Sequence, residues 1–145
     1  MISAIILAAG ESRRMGVKNK LLLPISGEVL IRNFVKSVCA SNVSEVVVVV
    51  GHEADKIEEV LQGQQVRFVE NINYMEGMTS SIQAGIQAAS ERSEGLMICL
   101  SDQPFIETSD FNCLIHEFTD LFDSKSSLII VPVFKGHRGN PVLFS

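Results

Sequence analysis

Residues 2–16 read Ile2-Ser3-Ala4-Ile5-Ile6-Leu7-Ala8-Ala9-Gly10-Glu11-Ser12-Arg13-Arg14-Met15-Gly16. The apolar run Ile2–Leu7 has the length of one β-strand. It ends in small residues and glycines, where a chain turns tightly. The connection that follows carries the cations Arg13, Arg14 and Lys20, with Lys18 between them. Bare backbone N–H groups beside Arg and Lys are what a triphosphate needs from a protein. The competing reading is a tight surface turn with solvated arginines. It explains Lys20 poorly, because Lys20 abuts the apolar run Leu21–Leu23 and so reads as an anchored head group.

Further apolar runs bounded by turn residues predict strands at 45–50, 66–69, 96–100, 128–133 and 141–144. Val46 to Val50 is an unbroken valine run, so that strand is expected to be covered on both faces, as in a parallel sheet. Helical spacing joins Val29, Leu30, Phe34, Val35, Val38 and Cys39. It also joins Ile57, Val60 and Leu61, then Ile82, Ile86 and Ala89. A fourth stripe runs through Phe111, Leu114, Ile115, Phe118, Leu121 and Phe122, with Thr108 or Ser109 as its expected cap. Strands alternating with helices predict an α/β layered domain with a mainly parallel sheet. Ligands of such sheets sit beyond the carboxyl ends of the strands. The loops after Leu7, Val69 and Leu100 therefore converge on one edge.

The chain has 145 residues, enough for one domain, and 46% are hydrophobic. A net charge of −5 argues against a nucleic-acid binder but leaves small anionic ligands open. Cys39, Cys99 and Cys113 show no C-x-x-C spacing and read as buried apolar thiols. An odd cysteine count without a secretory leader suits the reducing cytoplasm. No apolar run approaches the roughly 18 residues of a membrane-spanning helix.

Four segments carry chemistry. The loop Gly10–Gly16 fails the G-x-G-x-x-G dinucleotide fingerprint for lack of a third glycine. It also fails the Walker A template, because Val17 separates Gly16 from Lys18. The stretch 71–81 ends at the start of a helix, where Ser80 and Gln83 fit a capping box. A helix N-terminus there would equally receive an anion. In Leu100-Ser101-Asp102-Gln103-Pro104, Asp102 reads either as a Mg²⁺ ligand beside phosphates or as the start of an Asx-turn. Lys135-Gly136-His137-Arg138-Gly139 predicts a hairpin-like loop before the last strand, with a solvated basic loop as the plain alternative. His52 at a strand-to-helix turn and His116 on a polar helix face lack metal-ligand partners at useful spacing.

In register, these segments resemble the nucleotidyltransferases related to molybdenum cofactor biosynthesis, the MobA-like NTP transferase family. The matching segments are Leu7-Ala8-Ala9-Gly10 through Arg14, Gly16 and Lys20, then Gly77-Met78-Thr79-Ser80-Ser81 and Ser101-Asp102-Gln103-Pro104. Arg138-Gly139-Asn140-Pro141-Val142-Leu143-Phe144 completes the set. The pattern is most similar to the molybdenum cofactor cytidylyltransferase type. Guanylyl-transferring relatives read Leu-Ala-Gly-Gly in the first loop, where this chain has Ala9.

The resemblance implies a three-layer α/β/α Rossmann-like domain over residues 1–145 with a mostly parallel sheet. It also implies a reaction in which an acceptor phosphate attacks the α-phosphorus of an NTP, CTP by preference, and pyrophosphate leaves. Leu7, Ala8, Ala9, Gly10, Arg14, Lys20, Asn71 and Asp102 would bind the nucleotide. Arg14, Lys20 and Asp102 would be catalytic, and Asp102 would hold Mg²⁺. Gly77, Met78, Ser80, Ser81, Gln103 and Arg138 would face an acceptor of molybdopterin type. Relatives continue past the position of Ser145, so the resemblance also implies an uncovered edge open to self-association. The remaining alternatives are another NTP or acceptor, a nucleotide-binding protein without catalysis, and, most distantly, a dehydrogenase.

Overall fold

The computed structural model describes residues 1–12, 16 and 18–145. Its centre is a six-stranded sheet in the order β5-β4-β1-β6-β10-β7. The strands are β1 (Ile2–Ala8), β4 (Glu45–Val50), β5 (Arg67–Glu70), β6 (Gly95–Leu100), β7 (Ile129–Ile130) and β10 (Val142–Phe144). β1 pairs in parallel with both β4 and β6, and β4 with β5. β10 is antiparallel to β6 and β7. Two small hairpins lie outside the sheet. One joins β2 (Pro24–Ile25) to β3 (Glu28–Val29), and the other joins β8 (Val133–Phe134) to β9 (His137–Arg138).

The helices are α1 (Leu30–Cys39), α2 (Ala54–Val60), α3 (Met78–Ala88) and α4 (Thr108–Leu121). Alternation along β1 sorts them into layers. Ala4, Ile6 and Ala8 face Phe34, Val35, Ile57, Phe111 and Phe118 of α1, α2 and α4. Ile5 and Ala9 face the other way, where Ile82 and Ala84 of α3 close the second face. Val46 to Val50 are all buried, as a strand covered on both sides must be. The α/β/α architecture expected from the sequence is present.

Five local expectations are corrected. α3 starts at Met78 after Gly77 and has no side-chain cap, so Ser80 and Gln83 form no capping box. Gly77 sits at φ 108°, ψ −177°, a backbone state open to glycine, and that turn sets the helix start. α3 meets the sheet through buried Ser81 and Gly85 together with Ile82 and Ala89 of the expected stripe, while Ile86 of that stripe is exposed. A Cβ on Gly85 would stand 2.3 Å from Ile5 Cγ2, so the helix lies closer than a larger residue would permit.

α4 is capped by Glu107, not by Thr108 or Ser109. Glu107 and Asp110 exchange side-chain and backbone bonds in a reciprocal capping box. The expected strand 128–133 is broken at Pro132 into β7 and β8, because proline supplies no ladder donor. Of the cysteines only Cys99 is buried. Cys39 is half-buried, and Cys113 is exposed on the outer side of α4.

Candidate functional site

The strand order places β1 between β4 and β6, so the chain leaves β1 toward one side and returns on the other. The carboxyl ends of β1 and β6 flank that switch point, where open α/β sheets bind ligands. A cavity of about 430 Å³ lies there. Leu7, Ala9, Gly10, Glu11 and Ser12 line it from β1 and its loop, Leu100, Ser101 and Asp102 from β6, and Tyr74, Met75, Gly77, Met78 and Ser81 from the approach to α3. The three loops singled out in the sequence meet in one space.

Two hydrogen bonds hold the rim in register. Ser101 Oγ donates to the Leu7 carbonyl at 2.6 Å, tying the ends of β6 and β1. The His52 amide donates to the Ala9 carbonyl at 3.1 Å, tying the loop after β1 to the end of β4. The far end of the first loop is pinned by Asn19. Its Oδ1 accepts from the Leu21 amide at 3.1 Å and from Ser12 Oγ at 3.4 Å, while the Lys20 amide donates to Ser12 Oγ at 3.3 Å.

Asn71 is buried, and its amide is fully engaged. Oδ1 accepts from the Asn73 amide at 3.0 Å, and Nδ2 donates to Ser80 Oγ at 2.9 Å and Ser81 Oγ at 3.0 Å. Ser80 in turn donates to the Gly77 carbonyl at 2.8 Å and the Asn73 carbonyl at 3.1 Å. The loop after β5 is thereby fastened to the first turn of α3.

Asp102 is exposed at the cavity, and its carboxylate accepts no hydrogen bond from the described residues, so no Asx-turn forms there. A hard divalent cation is commonly held by one or two carboxylates together with substrate phosphates and water, and Asp102 fits that demand. Among the described residues no group of three or more His, Cys, Asp or Glu side chains forms a protein-only cage. The donor set thus suits a cation brought by phosphates.

Of the residues expected to contact ligand, Leu7, Ala9, Gly10, Gly77, Met78, Ser81 and Asp102 line the cavity. Ala8, Lys20, Asn71, Ser80, Gln103 and Arg138 stand outside its lining. Arg138 is exposed on the β8–β9 hairpin, and Lys20 opens a short 3-10 turn, Lys20–Leu22. Arg14 lies outside the described residues. The cavity also uses Tyr74 and Ser101, to which the sequence assigned no role. Tyr74 is placed by the bare Gly51, where a Cβ would stand 2.8 Å from Tyr74 Cβ. That contact joins residues 23 positions apart in sequence and has no local signal.

The fold is thus a mostly parallel α/β sheet with a glycine-bearing loop, a helix start and the Asp102 carboxylate at its switch point. A family model described as the MobA-like NTP transferase domain matches residues 4–145, and the chain belongs to that family. It is 34% identical over 113 residues to the bifunctional protein GlmU of Listeria monocytogenes, covering 77% of this chain and 24% of GlmU. It is 30% identical over 114 residues to nicotine blue oxidoreductase of Paenarthrobacter nicotinovorans, covering 79% of this chain and 55% of that protein. The chain thus spans about a quarter of GlmU's length. A solved nucleotidyl transferase from Methanothermobacter superposes with TM-score 0.76 at 28% identity, covering 99% of this chain and 70% of that one. Among the described residues no helix is long and apolar enough to cross a membrane.

Proposed function

We propose that this chain is a nucleotidyltransferase domain that binds a nucleoside triphosphate in the switch-point cavity. It would transfer the nucleoside monophosphate to a phosphorylated acceptor. The observation that carries this reading is the meeting of the Ala9–Gly10 backbone, the start of α3 and the Asp102 carboxylate, unpaired among the described residues, around one cavity. Nucleotidyl transfer asks mainly for positioning and charge neutralisation; the backbone and the helix start support the first, and a cation held by Asp102 with nearby Lys and Arg would supply the second.

In this reading the Ala9–Gly10 backbone approaches the nucleotide, and Lys20 and Arg14 neutralise its phosphates. An acceptor phosphate oxygen forms a bond to the α-phosphorus as the bond to pyrophosphate breaks. Asp102 would hold Mg²⁺, which when bound offsets charge on the phosphates. Met75 and Met78 give the cavity an apolar wall on the side where the acceptor is expected. The resemblance to the cytidylyltransferase type, through Ala9, favours CTP and a molybdopterin-type acceptor. The relative bearing an oxidoreductase name does not displace this reading, because the first loop lacks the dinucleotide fingerprint.

A thermal-shift titration with CTP, GTP, ATP and UTP, each with Mg²⁺, tests the proposal. A nucleotide that binds only the folded state adds about 2.7 kcal/mol of stability at 100 times its Kd. CTP is expected to raise the melting temperature most. No shift with any of the four contradicts the reading.

A further inference from the structure

We infer that Asn71 is a positioning residue that dedicates the Ser81 hydroxyl to donating a hydrogen bond to the bound nucleotide. The inference rests on the nucleotidyltransferase reading and assigns the polarity of one cavity wall. It begins with a forced orientation. The Asn73 backbone N–H can only donate, so the Asn71 atom 3.0 Å from it must be the carbonyl oxygen. The other terminal atom is therefore the NH₂ group. Its two protons go to Ser80 Oγ at 2.9 Å and Ser81 Oγ at 3.0 Å.

Both serine oxygens are thus acceptors toward Asn71, and each retains one proton to place. Ser80 spends its proton on the Gly77 and Asn73 carbonyls. Gly77 is the residue four positions before Ser81, where a helical serine commonly donates; its carbonyl accepts from Ser80, and Ser81 Oγ makes no bond to it. Ser81 is 5% exposed, lines the cavity, and has no acceptor for its proton among the described residues. A buried hydroxyl proton without a partner is costly unless a ligand supplies one.

Ser101 has the opposite polarity. It is buried on the same cavity and gives its proton to the Leu7 carbonyl at 2.6 Å, so toward a ligand it can only accept. Ser81 and Ser101 therefore present hydroxyls of opposite polarity to the cavity. The partner of Ser81 is an acceptor atom of the nucleotide, on the base or on a phosphate.

The test is a double-mutant cycle on nucleotide affinity, read by calorimetry with Mg·CTP, CMP and inorganic pyrophosphate. Ser81→Ala deletes only the hydroxyl and is expected to weaken CTP about 5- to 10-fold, the worth of one hydrogen bond. Loss that extends to CMP and spares pyrophosphate assigns the partner to the nucleoside side. Loss that extends to pyrophosphate assigns it to the phosphates. Asn71→Asp keeps the acceptor for Asn73 but turns the two donors into an acceptor, which draws the Ser81 proton away from the ligand.

Asn71→Asp should therefore cost CTP affinity several-fold more in the parent than in the Ser81→Ala background. The cycle cancels charge repulsion, which is common to both. Equal costs in the two backgrounds, or unchanged CTP affinity in Ser81→Ala, overturn the assignment while leaving the functional reading intact. A parent that binds none of the three probes contradicts that reading and the assignment with it. Melting temperatures without ligand confirm that each variant is folded.

Discussion

Ser101 Oγ donates to the carbonyl of Leu7 at 2.6 Å across 94 residues of sequence. The bond closes the seam between β1 and β6 at the rim of the cavity. Ser101→Ala would leave a carbonyl at a buried strand end without its partner. Removing one partner of a buried hydrogen bond costs about 1–3 kcal/mol. Urea denaturation should show that loss, and nucleotide affinity should fall with it because the loops on both strands lose their tie.

Gly85→Ala tests how closely α3 approaches the sheet. Helix propensity alone favours alanine by about 1 kcal/mol. The new Cβ would stand 2.3 Å from Ile5 Cγ2 and 3.1 Å from Val49 Cγ2, and both side chains are buried. Overpacking of this kind typically costs about 1–3 kcal/mol and should outweigh the propensity gain. The urea midpoint is expected to drop. A rise would mean that α3 sits farther out than described.

Glu45 predicts a pH dependence. Desolvation pushes its pKa up, but hydrogen bonds from Ser3 Oγ, the Ser90 amide and Arg67, with the Arg67 charge, outweigh it and hold the carboxyl below its usual value. A group with a lowered folded pKa binds fewer protons in the folded state than in the unfolded one at mildly acid pH. Its contribution is therefore complete above the unfolded pKa of about 4.3 and is lost as pH falls through the folded value. Glu45→Gln should flatten the acid limb of a stability–pH profile below about pH 4.3. An unchanged acid limb would remove Glu45 from that role.

The layered fold was legible because β1 and β4 carry apolar runs and the helices between them carry apolar stripes. The convergence of three loops followed from the alternation alone. In α3 the Ile82 and Ala89 contacts were legible from periodicity, but those of Ser81 and Gly85 were hidden, because they meet the sheet through their small size and periodicity rewards large apolar residues. The α4 cap was misplaced for a related reason. Glu107 is an unusual N-cap, and its partnership with Asp110 shows only in the bonds they exchange. At the site, Asp102 was visible from its position at a strand end. Tyr74 was not, because its placement depends on Gly51 in another loop.

Asp102→Asn isolates the role proposed for the carboxylate. The side chain is exposed and accepts no hydrogen bond from the described residues, so the melting temperature without ligand should hold. Mg²⁺-dependent turnover should fall roughly 100-fold or more, on the scale of removing one group that stabilises transition-state charge. Undiminished metal-dependent turnover would remove Asp102 from the chemistry.

Nucleotidyl transfer at the switch-point cavity is read by pyrophosphate release from the parent chain, measured with each of the four NTPs, Mg²⁺ and a molybdopterin-type acceptor. Acceptor-dependent release, fastest with CTP, is the expected result. Nucleotide binding without pyrophosphate release from any of the four would contradict it.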